Sequence, residues 1–167
     1  MTDIIIDNNE STILAAVVTS LTNATQNGEA VFNTVATFDD RGEFQDKGFV
    51  KLTGAQAAVI GLGSDDHVLT DRRRGIQMSL EVVIAAKGTV NTATSRKARI
   101  TDLLNAARNG LSLDRGADWV DLATGNDEWI SGLLFGETER DDDENKPWAV
   151  GILPVQICYV IDDKTSH

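Results

Sequence analysis

Ile76-Gln77-Met78-Ser79-Leu80-Glu81-Val82-Val83-Ile84-Ala85 is the stretch that decides the fold. Ile76, Met78, Leu80, Val82 and Ile84 alternate with Gln77, Ser79, Glu81, Val83 and Ala85. A period of two puts each set on its own side of an extended chain, which predicts a strand with one face in a core. A helical pattern lies on either side of it. Ile13, Leu14, Val17, Val18 and Leu21 fall on one helical face, with Asn8 and Asn9 as caps, Glu10 in the first turn and Gln26-Asn27-Gly28 as the stop. After the strand, Ile100, Leu103, Leu104, Ala107 and Leu111 form a second stripe. Thr94 or Ser95 would cap it, Gly110 would end it, and Arg96, Lys97 and Arg99 would lie on or near its solvent side.

The other segments read mainly as strands. Ala30 to Phe38 is rich in Val, Thr and Phe, and Asp39-Asp40-Arg41-Gly42 breaks it. Residues 44–52 suggest a short helix or turn. Ala55 to Leu62 is a run of small apolar residues, expected as a buried strand, and residues 63–75 read as a polar loop. Trp119 to Leu122 forms a short strand. Glu128 to Phe135 forms another, with Trp129, Ser131, Leu133 and Phe135 on one side. Trp148 to Ile161 is the last and longest, with Leu153, Val155, Ile157, Tyr159 and Ile161 on one face. Pro154 has no N–H to give to a ladder, which suggests an edge or a bulge. The last two strands look like a hairpin with an acidic tip. The order helix, strands, helix, strands predicts an α+β fold: one domain over residues 1–167, with a mostly antiparallel β-sheet and two main helices on one face.

Composition narrows the function. A chain of 167 residues that is 41% hydrophobic can build one ordinary domain with a real core. It has 26 acidic residues against 15 basic ones, a formal charge of -11. Such a chain repels a phosphate backbone, so specific nucleic-acid binding is not expected. The single cysteine, Cys158, excludes an internal disulfide and a multi-cysteine metal site, and its apolar neighbours predict a buried position. The first residues lack a signal-peptide pattern and no apolar run approaches a membrane span, so folding in the cytoplasm is expected, with no membrane partner.

Motifs for chemistry are sparse. Gly61-Leu62-Gly63 lacks the third glycine of a dinucleotide turn. Asp65, Asp66, His67 and Asp71 are the one set on which a small metal-dependent hydrolase could be built, but neighbours in one loop rarely converge on one ion. Asp141, Asp143 and Asn145 begin like a calcium loop, which Lys146 and Ile152 then break. Trp119, Trp129 and Trp148 follow strand patterning and read as core residues. No catalytic, cofactor-binding or metal-ligating residue is assigned. Two charge clusters remain: Arg72-Arg73-Arg74, and Asp141-Asp142-Asp143-Glu144 within the acidic run from Glu137. Opposite patches on one small domain can meet between copies, and head-to-tail contacts of two different surfaces close into rings.

The order of features resembles the tail terminator (tail-completion) proteins of tailed bacteriophages, in particular those of Mu-like contractile-tail phages. The resemblance rests on Ile13-Leu14-Ala15-Ala16-Val17, Val31-Phe32-Asn33-Thr34-Val35, Gly42-Glu43-Phe44 and Ala55-Gln56-Ala57-Ala58-Val59-Ile60-Gly61. It continues through Met78-Ser79-Leu80-Glu81-Val82-Val83-Ile84-Ala85, the helix from Ala98 to Leu111, and Pro154-Val155-Gln156-Ile157-Cys158-Tyr159. It implies an α+β subunit of a hexameric ring at the head-proximal end of the tail tube, in the neck of the virion. Such a ring stops tube polymerisation and offers a head-joining surface. The implied partners are other copies of the chain, the tail tube protein, a head-completion protein and, in contractile tails, the sheath protein. No cofactor is implied. Arg72, Arg73, Arg74, Asp141, Asp142, Asp143 and Glu144 are the subunit or tail-contact candidates. Another neck component, a head-completion or adaptor protein, is the neighbouring alternative.

Overall fold

The computed structural model describes residues 6–38, 54–70, 73–87, 92–114, 130–141 and 148–162. Helix α1 (Ile6–Asn23) is followed by the short strands β1 (Thr25–Gln26) and β2 (Glu29–Ala30). Next come β3 (Thr34–Phe38), β4 (Gln56–Thr70), β5 (Arg73–Lys87) and helix α2 (Ala93–Asp114). The described chain ends with β6 (Ile130–Phe135), β7 (Glu139–Asp141) and β8 (Trp148–Asp162). The main sheet runs β3-β4-β5-β8-β6, with β7 also on β8. Among the described strands only the β3–β4 pair is parallel. The fold is therefore the α+β type that the pattern predicts.

The decisive strand lies at the centre. Ile76, Met78, Leu80, Val82 and Ile84 of β5 are at most 2% exposed and share one core with Ile13, Val17 and Leu21 of α1 and Ile100, Leu103, Leu104, Ala107 and Leu111 of α2. Both helices thus cover the same face. The opposite face is buried too along part of its length. Val83 and Ala85 join Ala58, Ile60, Trp148, Val150 and Ile152 in a second apolar cluster, so the central strands are sandwiched rather than one-sided. Gly151 lets α2 lie close on β8: a Cβ there would come within 2.8 Å of Ile100 Cγ1 and 3.0 Å of Leu104 Cδ1.

Local chemistry sets the boundaries, and several differ from the sequence reading. Asn8 and Asn9 lie inside α1 rather than capping it. The helix does end before Asn27 and Gly28, whose φ values of 55° and 81° form the two-residue turn between β1 and β2. The predicted strand Ala30–Phe38 is split, because Val31 and Phe32 turn into the core between β2 and β3. Helix α2 is capped by Thr92, not by Thr94 or Ser95: Thr92 Oγ1 accepts from the Ser95 N–H at 3.2 Å. It runs through Gly110 to Asp114, and Gly110 packs near Ala24, the residue after α1, instead of stopping the helix. Arg96 is buried at 3% exposure, against the expected solvent side, whereas Lys97 is exposed.

The polar stretch read as a loop over 63–75 is strand in its described parts, 63–70 and 73–75. Ladder bonds to β5 carry Ser64 to Thr70, and a bulge at Leu62 and Gly63 (φ 105°) absorbs the irregularity. Pro154 is not on an edge strand, since β8 has neighbours on both sides. Its carbonyl accepts from the Gly136 N–H at 2.9 Å, so its missing N–H faces the break between β6 and β7 and the β5 ladder loses nothing. Cys158 is half-buried rather than buried. The predicted elements at 44–52 and 119–122, and Trp119 and Trp129, lie outside the described residues.

Candidate functional site

Arg73 and Arg74 are the first residues of β5, opposite Asp162 and Ile161 of β8. The basic knot therefore belongs to the far end of the β4–β5 hairpin, in register with an aspartate of its own chain. Arg72 lies outside the described residues. Asp141 ends β7 opposite Val150, which in turn lies opposite Ala85 near the other end of β5. The rise per residue of a strand separates the rows of Arg74 and Ala85 by about 37 Å. Among the described residues, one subunit does not bring the two clusters together. The acidic run is also not simply a hairpin tip, because Glu139, Arg140 and Asp141 pair with β8 as a strand. Asp142, Asp143 and Glu144 lie outside the described residues.

The hydrolase candidates that the structure describes follow one another along a single strand. Asp65, Asp66 and His67 are consecutive residues of β4, facing Gln77, Ile76 and Gly75 in the ladder, and Asp71 is outside the described residues. Among the described residues no group of three or more His, Cys, Asp or Glu side chains is arranged to hold a metal ion. No described helix is long and apolar enough to cross a membrane.

Two open grooves border α1. One, of about 450 Å³, lies between the end of α1, the β1–β2 hairpin and α2; Asn23, Gln26, Asp102, Asn105 and Asn109 line it. Those side chains are exposed and polar, with a single carboxylate among them. The other, of about 820 Å³, runs between α1 and the edge strand β3 and includes Leu14, Val18, Thr37, Phe38, Val59 and Gly61. None of its lining residues is charged, in a chain that is 25% charged.

A clasp stands at the start of the β3–β4 ladder beside this groove. The Asn33 N–H donates to the Ala55 carbonyl at 2.7 Å, and Asn33 Oδ1 accepts from the Ala55 N–H at 3.0 Å. Gly54, at φ 82°, brings its backbone against the Asn33 amide, where a Cβ would overlap the side chain. The sequence reading missed this clasp. Its signal was only a glycine before a small-residue strand, and its partner stands far away in sequence. On the opposite sheet edge, Leu134 of β6 is 57% exposed, while Leu133 is buried and Phe135 packs on the helix-side core. Arg108 of α2 lies 5.7 Å over the Phe135 ring. Comparison with protein-family models and with curated proteins gives no match.

Proposed function

We propose that this protein is a structural assembly subunit of the tail-terminator kind, forming a ring that caps the head-proximal end of a phage tail tube and presents a head-joining surface. The observation that carries the reading is the order of elements. An opening helix, a short strand, a pair of long antiparallel strands, a second helix and a long terminal strand follow one another, with both helices on one face of the sheet. That is the order in which the resembling segments occur along the sequence. Large uncharged surface beside β3, on a chain of charge -11, suits a subunit that must stay soluble and still meet other proteins.

The test is capping. Purified chain is added to tail tube protein during tube growth, and tube lengths are measured by electron microscopy. Arrest of growth, with density at one tube end only, is the expected result. Tubes that elongate unchanged, with no chain bound at an end, refute the reading; binding to the portal side instead would assign the chain to another neck component.

A further inference from the structure

The sequence holds two Asn-Gly pairs, Asn27-Gly28 and Asn109-Gly110, and the fold treats them differently. Both asparagine side chains are exposed, so water reaches both. Asn27 and Gly28 are the turn residues of the β1–β2 hairpin, whose ladder consists of the pairs Thr25–Ala30 and Gln26–Glu29. Every residue from Thr25 to Ala30 is exposed, so little apolar burial holds the hairpin and its local opening costs little. Asn109 and Gly110 lie inside α2, whose core residues Leu103, Leu104, Ala107 and Leu111 are at most 1% exposed.

An asparagine followed by glycine carries the means of its own modification. The glycine backbone nitrogen, once it sheds its proton, can attack the asparagine Cγ. A C–N bond forms, the side-chain nitrogen leaves as ammonia with that proton, and a succinimide ring closes. Water then adds to one of the two ring carbonyls and opens the ring to aspartate or isoaspartate. Water is consumed, ammonia is released, and nothing is oxidised or reduced. The nitrogen must swing onto Cγ, a motion that a following Cβ hinders and glycine allows.

We propose that Asn27 is a site of spontaneous deamidation and that the helix withholds Asn109 from the same reaction. The ladder pairs stop at Gln26 and Glu29, and a Cβ built on Gly28 would meet nothing within 4 Å, so this backbone has room to turn. At Gly110 the helical pattern engages the N–H with the carbonyl four residues back. A Cβ there would stand 3.2 Å from the Ala24 Cβ, so the space is already taken. Freeing that nitrogen means unwinding α2 over its buried stripe.

The product alters one wall of a groove. Asn27 sits at φ 55°, the left-handed conformation that this turn requires. Aspartate would keep the turn and add a negative charge near Glu29. Isoaspartate inserts a methylene into the main chain, and a two-residue turn cannot then hold the Gln26–Glu29 register. Gln26 lines the polar groove between α1, the hairpin and α2, so that wall changes as the chain ages. Val31, 8% exposed and donating its N–H to the Ala24 carbonyl at 3.0 Å, keeps the following segment seated.

The experiment incubates wild type and Asn27→Gly in warm, mildly alkaline buffer, both folded and in concentrated guanidinium chloride. Mass spectrometry of tryptic peptides follows each site, and a protein isoaspartyl methyltransferase reports isoaspartate. In the folded chain Asn27 is expected to convert at least about tenfold faster than Asn109, and the two rates should converge in denaturant. The Asn27 rate should rise with pH, because the attacking nitrogen must lose its proton. Asn27→Gly should fold by circular dichroism and show no conversion in that peptide. Aged wild type should exchange its amides faster over Thr25–Ala30, with those of α2 unchanged. An Asn27 that stays intact in the folded chain while converting in denaturant, or an Asn109 that keeps pace with it when folded, overturns the proposal.

Discussion

Replacing Gly54 by alanine should cost far more than one methyl group suggests. Three effects add. The φ of 82° lies in the left-handed region, where a side chain with Cβ costs about 1 kcal/mol relative to glycine. The new Cβ lands on the Asn33 amide, with Asn33 Cγ at 2.6 Å, so Asn33 must leave its place. Its departure removes the hydrogen bond from the Ala55 N–H, worth about 1 kcal/mol, and leaves a donor unsatisfied at a residue that is 0% exposed, for about 1 kcal/mol more. The sum is about 3 kcal/mol, a large part of the stability of an ordinary domain. Urea unfolding followed by circular dichroism measures it, and a fall of roughly 6–12 °C in Tm should accompany it. The double variant with Asn33→Ala isolates the cause. Removing the amide also removes the collision, so the two substitutions together should cost clearly less than the sum of their separate costs. Strict additivity, or a Gly54→Ala chain as stable as wild type, refutes the clasp.

Gly151→Ala should destabilise the chain by about 2 kcal/mol, because the added methyl meets Ile100 and Leu104 in the α2–β8 contact, and chemical denaturation reads this directly.

The central strand was legible because its period is independent of neighbours: alternating Ile76 to Ile84 face the helices whatever lies beside them. The helix stripes were legible for the same reason. Boundaries failed where a distant partner outweighs local chemistry. Ser64-Asp65-Asp66 has the composition of a loop, yet ladder bonds to Met78, Gln77 and Ile76 hold it extended. Arg96 has the charge of a surface residue, yet it is buried in the first turn of α2 while Ala93, Thr94 and Lys97 beside it stay exposed. Pro154 was read correctly as unable to donate, but whether its missing donor matters depends on which side the break between β6 and β7 falls.

Salt tests whether the charge clusters join copies. If the contact joins Arg72–Arg74 of one copy to Asp141–Glu144 of another, its attraction is Coulombic and fades as the screening length falls from about 10 Å at 0.1 M salt to about 3 Å at 1 M. Assembly should then loosen with sodium chloride. If the contact is apolar, the dominant electrostatic effect is repulsion between subunits of formal charge -11 each, and screening removes a penalty rather than a bond. Assembly should then tighten with sodium chloride and its midpoint concentration should fall, as sedimentation at 0.05 and 0.5 M would show. The signs are opposite, so the measurement needs no absolute affinity. Tightening on adding salt would refute the charge-cluster contact.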